Sequence, residues 1–239
     1  MKTVVCKNES ELSTRFAEWW VKDMKAVLAT QDRYTVALAG GNTPKKTYEL
    51  LADKYADSID WARVHFFWGD ERFVPVSDER SNAKMAYDVL LNKIPVDKEN
   101  IHVMQTAGLE PEESASSYEK LLHTYFDGYP HTFNLVLLGL GSDAHTLSLF
   151  PGYPVITENK KWVSAFNLAE QDMYRITLTP PVVNMAAKVA FMVSGGSKAA
   201  ALYHVRGFEH DPGLYPAQII QPFNGELYWF IDEAAAADL

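Results

Sequence analysis

Four short segments of the chain combine glycine with side chains that bind anions or transfer protons. They span residues 40–44, 69–72, 139–146 and 194–198. Each follows a short apolar run that is typical of a buried β-strand. In open α/β sheets a ligand binds in the crevice beyond the carboxyl ends of the strands. Parallel strands would therefore bring all four segments to one edge of the sheet.

The first segment predicts an anion site. Gly40 and Gly41 let the backbone approach a ligand closely, and Asn42 follows them. Thr43 is the predicted N-cap of the next helix, and Pro44 is its predicted first residue. Free N–H groups at a helix start carry partial positive charge, which suits a phosphate. An ordinary strand-to-helix turn has the same composition and is the alternative.

The third segment offers a general base. His145 follows Asp143 by two residues, at the predicted start of a short helix. A carboxylate that accepts from one imidazole nitrogen fixes the tautomer and leaves the other nitrogen basic. This arrangement is how a general base is built. The alternative is that His145 is only a polar turn residue.

The same segment carries a G-x-G-x-x-A pattern after a strand, which is typical of dinucleotide-binding folds. Two features argue against that reading. Pro151 and Gly152 end any following helix after about two turns, and the acid expected ~20 residues on is absent. We therefore do not predict a nicotinamide cofactor.

The second and fourth segments supply candidate cations. Arg72 follows Asp70 and Glu71 and can bind a phosphate or carboxylate through two parallel hydrogen bonds. A local ion pair within this charged loop is the alternative. Lys198 follows a glycine-rich turn that lacks the Walker A spacing, with Ser197 as the predicted cap. This turn is either a second anion site or a plain turn with an exposed lysine.

The elements that position these segments alternate between strand and helix patterns. The predicted strands are residues 34–39, 64–68, 133–138, 174–178, 188–193 and 227–231, and several are apolar throughout. Continuous apolar strands are buried on both faces, as in parallel sheets covered by helices. We therefore expect one α/β domain over residues 1–239, with a Rossmann-like open, mostly parallel sheet and helices on both faces. Predicted helices include residues 10–30, capped by Ser10, and a short terminal helix at 234–237.

Composition narrows the classes of function. The chain has 239 residues, a net charge of −9 and no dense basic run, so we expect no nucleic-acid binding. It has no apolar run near the ~18 residues of a membrane span, and residues 1–7 lack the apolar stretch of a secretory signal, so we expect neither. The single cysteine, Cys6, is compatible with a reducing compartment, so we expect a cytoplasmic protein. No zinc-binding motif is present, and no metal is predicted. Because an acidic protein repels anions on average, a phosphorylated substrate needs a local cluster of donors.

Taken together, these residues resemble the 6-phosphogluconolactonase family, which shares its fold with glucosamine-6-phosphate deaminase. The matching segments are residues 39–44, 68–75, 81–82, 138–152, 175–179, 195–198 and 216–218. The most specific is His-Thr-Leu-Ser-Leu-Phe-Pro at 145–151. At the same segment the deaminase typically has the sequence Gly-His-Ile-Ala-Phe-Asn-Glu-Pro, and it has tyrosine where Arg72 stands.

The sequence departs from the family at Ala144, where the family usually has glycine. If this position has a positive φ, alanine would cost about 1–2 kcal/mol.

The resemblance implies a carboxylic ester hydrolase that opens 6-phosphogluconolactone, a step of the pentose phosphate pathway, without a cofactor. It implies that His145 activates water, that Asp143 orients His145, and that Arg72 or glycine-loop N–H groups stabilise the oxyanion. The phosphate would lie on the turn at residues 40–43, with Arg72, Arg175 and Lys198 as candidate cations. We expect a monomer or a weak homo-oligomer. The alternatives are a glucosamine-6-phosphate deaminase or sugar-phosphate isomerase, and a non-catalytic sugar-phosphate binding protein.

Overall fold

The computed structural model describes residues 1–207 and 209–239 and contains two β-sheets. The strands are β1 (Lys2–Cys6), β2 (Tyr34–Leu38), β3 (Val64–Trp68), β4 (Asp70–Arg72), β5 (Leu135–Leu138), β6 (Val163–Leu168), β7 (Met173–Leu178), β8 (Lys188–Val193) and β9 (Glu226–Asp232). The α-helices are α1 (Glu9–Leu28), α2 (Asn42–Tyr55), α3 (Asn82–Ala86), α4 (Pro111–Phe126), α5 (Pro180–Asn184) and α6 (Ala199–Arg206). Among these described elements, no helix is long and apolar enough to span a membrane.

The larger sheet has six strands in the order β1-β9-β8-β5-β2-β3, and every neighbouring pair is parallel. All residues of β2 and β5 are buried, as expected for strands covered on both sides. On one face α1 packs through Phe16 against Phe230, with ring centroids 4.9 Å apart. On the other face α4 packs through Phe126 against Phe67, at 5.8 Å. The predicted α/β fold, with its mostly parallel sheet and helices on both faces, is confirmed.

The order of the strands creates one crevice. The chain leaves β2 toward β3 on one side, whereas it leaves β5 toward β8 on the other. Adjacent strands whose connections diverge in this way open a gap beyond their carboxyl ends, where ligands bind in this class of fold. The turns at residues 40–44 and 139–146 border this gap.

The second sheet was not anticipated from the sequence. It is a three-stranded antiparallel sheet in the order β4-β7-β6. The predicted strand 174–178 exists, but as β7 it belongs to this sheet rather than to the parallel one. β4 is only three residues long, and β6 has mixed burial without an apolar run, so neither gives the pattern of a buried strand. β1 was also missed, since its burial is low at the sheet edge.

Several helix ends differ from the predictions. Asn8, not Ser10, caps α1, because its side-chain oxygen accepts from the backbone N–H of Glu11 at 3.0 Å. α2 begins at Asn42 with Gly41 at its N-cap, so the predicted cap Thr43 lies within the first turn. Ser197 does not cap α6 but lies inside the 3₁₀ turn Gly196–Lys198. The Ala-rich tail at 234–237 forms turns rather than a helix.

Candidate active site

A cavity of about 310 Å³ lies beyond the carboxyl ends of β2, β5 and β8, in the size range of small-ligand sites. Residues from all four predicted segments line it. They include Gly40, Gly41, Asn42, Thr43, Arg72, His145 and Lys198, and Arg175 of β7 joins them. Asp143 does not line the cavity but contacts His145 directly. The structure therefore brings every candidate residue to one place.

His145 and Asp143 form a hydrogen-bonded dyad. The imidazole Nδ1 lies 2.5 Å from Oδ1 of Asp143, and the backbone N–H of His145 donates to the same oxygen at 3.2 Å. Burial alone would raise the pKa of Asp143, but its hydrogen bonds and the charge of His145 outweigh burial and lower it. An ionised carboxylate only accepts hydrogen bonds, so Nδ1 must carry the proton. Nε2 is then the nitrogen that can accept a proton.

Gly141 leaves the space in which the dyad forms. A Cβ atom at this position would lie 2.1 Å from Nδ1 of His145 and 2.3 Å from Oδ1 of Asp143. The backbone N–H of Gly141 also donates to the carbonyl of His145 at 2.8 Å. No side chain larger than hydrogen fits here with the dyad in place. Our sequence reasoning placed Gly141 in the segment but missed this role.

The backbone around His145 is strained on both sides. Ala144 has φ +65° and Leu147 has φ +55°, and both lie in the left-handed region that glycine favours. The strain expected at Ala144 is thus present. Such conformations persist only where surrounding contacts impose them, and they are common at functional sites. One such contact is the hydrogen bond from the Ala217 N–H to the Ala144 carbonyl, at 3.0 Å.

The imidazole of His145 also stacks on an aromatic ring. Its centroid lies 4.2 Å from that of Phe150, with an interplanar angle of 28°. The guanidinium carbon of Arg175 lies 5.9 Å from the centroid of the same phenyl ring. Phe150 therefore packs against both the base and one of the cations, and fixes the plane of the imidazole.

Arg72 and Arg175 form a pair of like charges. They are directly opposite each other in the antiparallel β4–β7 ladder. Arg72 donates to the carbonyl of Arg80 at 2.6 Å, and Arg175 to the side-chain oxygen of Gln171 at 2.5 Å. The buried Nε of each arginine has no hydrogen-bond partner among the described residues. Facing like charges destabilise a ladder, so the pair favours an anion in the cavity.

Burial affects the two arginines differently. Arg175 is 5% exposed, and its burial, together with the charge of Arg72, lowers its pKa, while Asp70 opposes the shift. A guanidinium remains charged even so. Arg72 is only half-buried, and in the described part of the chain it makes no ion pair with a carboxylate. The local ion pair considered for this loop is therefore not what the structure contains.

Glu71 has a structural role beside Arg72. Its buried carboxylate accepts from the hydroxyl of Ser81 at 3.0 Å and from the backbone N–H groups of Arg72, Asn82 and Ala83, each at 2.8 Å. Burial raises the pKa of Glu71, although these hydrogen bonds counteract the shift. Glu71 thus fixes the start of α3 against β4, and with it the backbone of Arg72.

The turn after β2 is shaped by a second close approach. A Cβ atom on Gly40 would lie 2.0 Å from the side-chain oxygen of Asn82. The buried Asn82 in turn donates to the carbonyl of Asp70 at 2.9 Å. The Thr43 hydroxyl donates to Glu9 of α1 at 3.0 Å, so it ties two helices together instead of capping α2. Asn82 is a lining residue that the sequence reasoning did not select.

The turn after β8 is organised by an internal carboxylate. Asp232 accepts from the Ser194 hydroxyl at 2.5 Å and from the Gly195 N–H at 3.0 Å. These donors are therefore already used within the protein. Lys198 lines the cavity, and among the described residues it has no ion-pair partner. Lys198 is the charged side chain that this turn contributes to the cavity lining.

No group of three or more His, Cys, Asp or Glu residues suited to a metal ion occurs in residues 1–207 and 209–239. The cavity is instead lined by the base His145, whose carboxylate partner Asp143 lies just outside, by three cationic side chains and by Asp70. Such a set can move a proton on a small anionic molecule and stabilise negative charge as it develops. Fold and site together thus define an α/β protein with a crevice that suits small anionic molecules.

Comparison with known proteins identifies the family within this class of α/β proteins. The chain belongs to the family of glucosamine-6-phosphate isomerases and 6-phosphogluconolactonases, whose sequence model matches residues 7–229. It is 43% identical over 215 residues to a 6-phosphogluconolactonase of Synechocystis sp., a match covering 89% of this chain and 87% of that protein. The solved structure of 6-phosphogluconolactonase from Trypanosoma brucei superimposes with a TM-score of 0.88 at 30% identity, covering 100% of this chain and 98% of that one.

A monomeric glucosamine-6-phosphate deaminase has nearly the same shape. It superimposes with a TM-score of 0.86 over 100% of both chains, but at 20% identity. At that identity the likeness shows the fold alone. The fold therefore does not separate the two activities, whereas the sequence relatives above are 6-phosphogluconolactonases.

Proposed function

We propose that this chain hydrolyses 6-phosphogluconolactone to 6-phosphogluconate, the lactone-opening step of the pentose phosphate pathway. The relatives at 30–43% identity carry that name. The observation that supports the chemistry best is the His145–Asp143 dyad, 2.5 Å apart, beside a cavity that holds Arg72 and Arg175. A base next to paired cations suits a substrate with an electrophilic carbonyl and a phosphate.

In the proposed reaction, Nε2 of His145 removes a proton from water as the oxygen attacks the lactone carbonyl carbon. The carbonyl π electrons move to its oxygen, and an anionic tetrahedral intermediate forms. Donors aimed at that oxygen lower the barrier. When the intermediate collapses, the bond to the ring oxygen breaks and His145 returns its proton to that oxygen. The products are a hydroxyl group and a carboxylic acid, which then ionises.

Asp143 acts on this cycle through His145. Its carboxylate holds the tautomer in which Nδ1 carries the proton, and it stabilises the imidazolium that forms when water is deprotonated. The pKa of Asp143 is lowered from an ordinary value of 3.8, so the carboxylate is anionic at neutral pH. Removal of the carboxylate would leave the imidazole free to rotate and to adopt the wrong tautomer.

The phosphate is the group we assign to the cations. Arg72 and Arg175 face each other across the ladder, and Lys198 lies on the turn after β8. The turn at residues 40–43 borders the same cavity and contributes backbone N–H groups at the start of α2.

The direct test is turnover by the purified full chain. Opening of 6-phosphogluconolactone is followed with the uncatalysed rate subtracted, and ammonia release from glucosamine 6-phosphate is measured in parallel. We expect lactone turnover and no ammonia. Ammonia release would instead identify a deaminase, and ligand-dependent thermal stabilisation without turnover would identify a binding protein.

We propose that residues 1–239 act as one α/β lactonase domain, because buried side chains from Cys6 to Ala235 form one continuous cluster. We propose a monomer or weak homo-oligomer, since one chain supplies all the side chains of the site. We propose a cytoplasmic location, where the buried thiol of Cys6 stays reduced. Sedimentation and cell fractionation test the last two.

A further inference from the structure

Ser148 is a fully buried serine that lies three residues after His145. Its hydroxyl donates to Oδ2 of Asp70 on β4 at 2.6 Å. Its backbone N–H donates to the hydroxyl of Thr177 on β7 at 3.2 Å. One residue of the His145 segment thus bonds to both strands of the antiparallel ribbon.

These two partners are themselves a pair. Asp70 and Thr177 are directly opposite each other in the β4–β7 ladder, and Arg72 and Arg175 form the pair two residues along. Side chains alternate between the faces of a strand, so both pairs project from the same face. Two residues along a strand span about 7 Å. Ser148 therefore attaches the His145 segment to the ribbon two residues from the arginine pair.

Other residues of the His145 segment form hydrogen bonds with parts of the protein outside β4 and β7. Thr146 donates to the carbonyl of Gly139 at the end of β5 at 2.8 Å, and the Ala144 carbonyl accepts from Ala217. Among the described residues, Ser148 makes both of the hydrogen bonds that join residues 141–149 to β4 and β7. Because Ala144 and Leu147 hold left-handed conformations, the segment needs such contacts to stay in place.

We infer that Ser148 is a positioning residue that sets the distance between the imidazole of His145 and the Arg72–Arg175 pair. This inference rests on the proposed lactonase function. The phosphate anchors one end of the substrate on the arginines, and the base must reach the carbonyl at the other end. Ser148 fixes the base relative to the anchor, and so aligns both ends of one substrate.

The test compares Ser148→Ala with Ser13→Ala in the full chain. Ser13 is an equally buried serine of α1 whose hydroxyl has no hydrogen-bond partner among the described residues. A displacement of about 1 Å at a reacting group can cost ~10² in rate. We expect Ser148→Ala to lower kcat for the lactone by about 10–100-fold. We expect KM and the Kd for 6-phosphogluconate to change by less than about threefold, because the arginine pair is untouched. Ser13→Ala should keep the wild-type kcat.

A second variant distinguishes a loss of positioning from misfolding of Ser148→Ala. Thr177→Val keeps the shape of the side chain but removes the acceptor for the Ser148 N–H, and it should also lower kcat at nearly constant KM. Wild-type kcat in both variants would overturn the inference and leave the lactonase function standing. Parallel loss of kcat, product affinity and Tm would also overturn it, because that pattern is a general structural defect. A wild-type chain that leaves the lactone intact would overturn the proposed function first.

Discussion

The substitution Gly141→Ala probes the dyad with a single methyl group. Its Cβ would lie 2.1 Å from Nδ1 of His145 and 2.3 Å from Oδ1 of Asp143, whereas ordinary contacts begin at 3.4 Å. The imidazole must withdraw by about 1.3 Å to regain an ordinary contact distance. Gly141 is not among the positive-φ residues, so alanine is compatible with its backbone. The clash falls on the ends of two side chains that can swing aside.

The expected result is a loss of activity with little loss of stability. A misplacement of about 1 Å costs ~10² in rate, so we expect kcat to fall by about 100-fold or more. Overpacking costs are smallest where side chains can move, and we expect the free energy of unfolding to fall by about 1 kcal/mol. Initial rates of lactone opening and urea unfolding curves measure the two effects.

The matched control is Gly196→Ala, which adds the same methyl group near another turn of the cavity. The nearest atom to a Cβ there is a backbone oxygen at 3.8 Å, so kcat and stability should stay close to wild type. If Gly141→Ala kept the wild-type kcat, the dyad geometry would not be what catalysis requires. If both variants lost activity equally, the effect would not be specific to the dyad.

Three further predictions follow from the same site. Lys198→Ala should raise KM for the phosphorylated lactone several-fold and leave a non-phosphorylated lactone unaffected; equal effects on both in steady-state assays would remove Lys198 from phosphate binding. Ala144→Gly relieves about 1–2 kcal/mol of left-handed strain but adds about 0.4–1 kcal/mol of unfolded-state entropy and loses a buried methyl group of about 0.8 kcal/mol. Its unfolding free energy should therefore stay within about 1 kcal/mol of wild type, and a larger loss in urea unfolding would contradict this reasoning. Finally, the pKa of Asp143 is lowered from its ordinary value of 3.8, so its contribution to stability is present above pH 3.8 and is lost as the pH falls through the folded-state pKa. Asp143→Asn should accordingly show a shallower fall of Tm with acidification than the wild type, and parallel curves would contradict the assignment.

The parts of the structure that were predictable are those with local signals. The apolar runs of β2 and β5 identified buried strands, and the glycines that follow them marked the crevice. The position of Asp143 two residues before His145 suggested the dyad, and the structure places their side chains in contact.

The parts that were missed depend on contacts distant in sequence. The facing of Arg72 and Arg175 arises from a ladder between a three-residue strand and β7, and nothing near either residue indicates it. Thr43 fits the pattern of an N-cap, but its hydroxyl bonds to Glu9 of another helix. Gly141 and Ser148 have roles defined by the atoms that surround them. Sequence patterns predict helices and strands, whereas the roles of Gly141 and Ser148 depend on contacts that exist only in the folded protein.

The central claim is that His145 is the base that activates water. The most direct measurement is kcat for 6-phosphogluconolactone opening by His145→Ala, compared with His123→Ala. His123 is an apt control because it also pairs with an aspartate, Asp127, at 2.8 Å, on the surface of α4 outside the cavity. Loss of a general base lowers rates by roughly 10²–10⁴, and we expect that loss in His145→Ala alone. A kcat for His145→Ala within a few-fold of wild type would contradict the account.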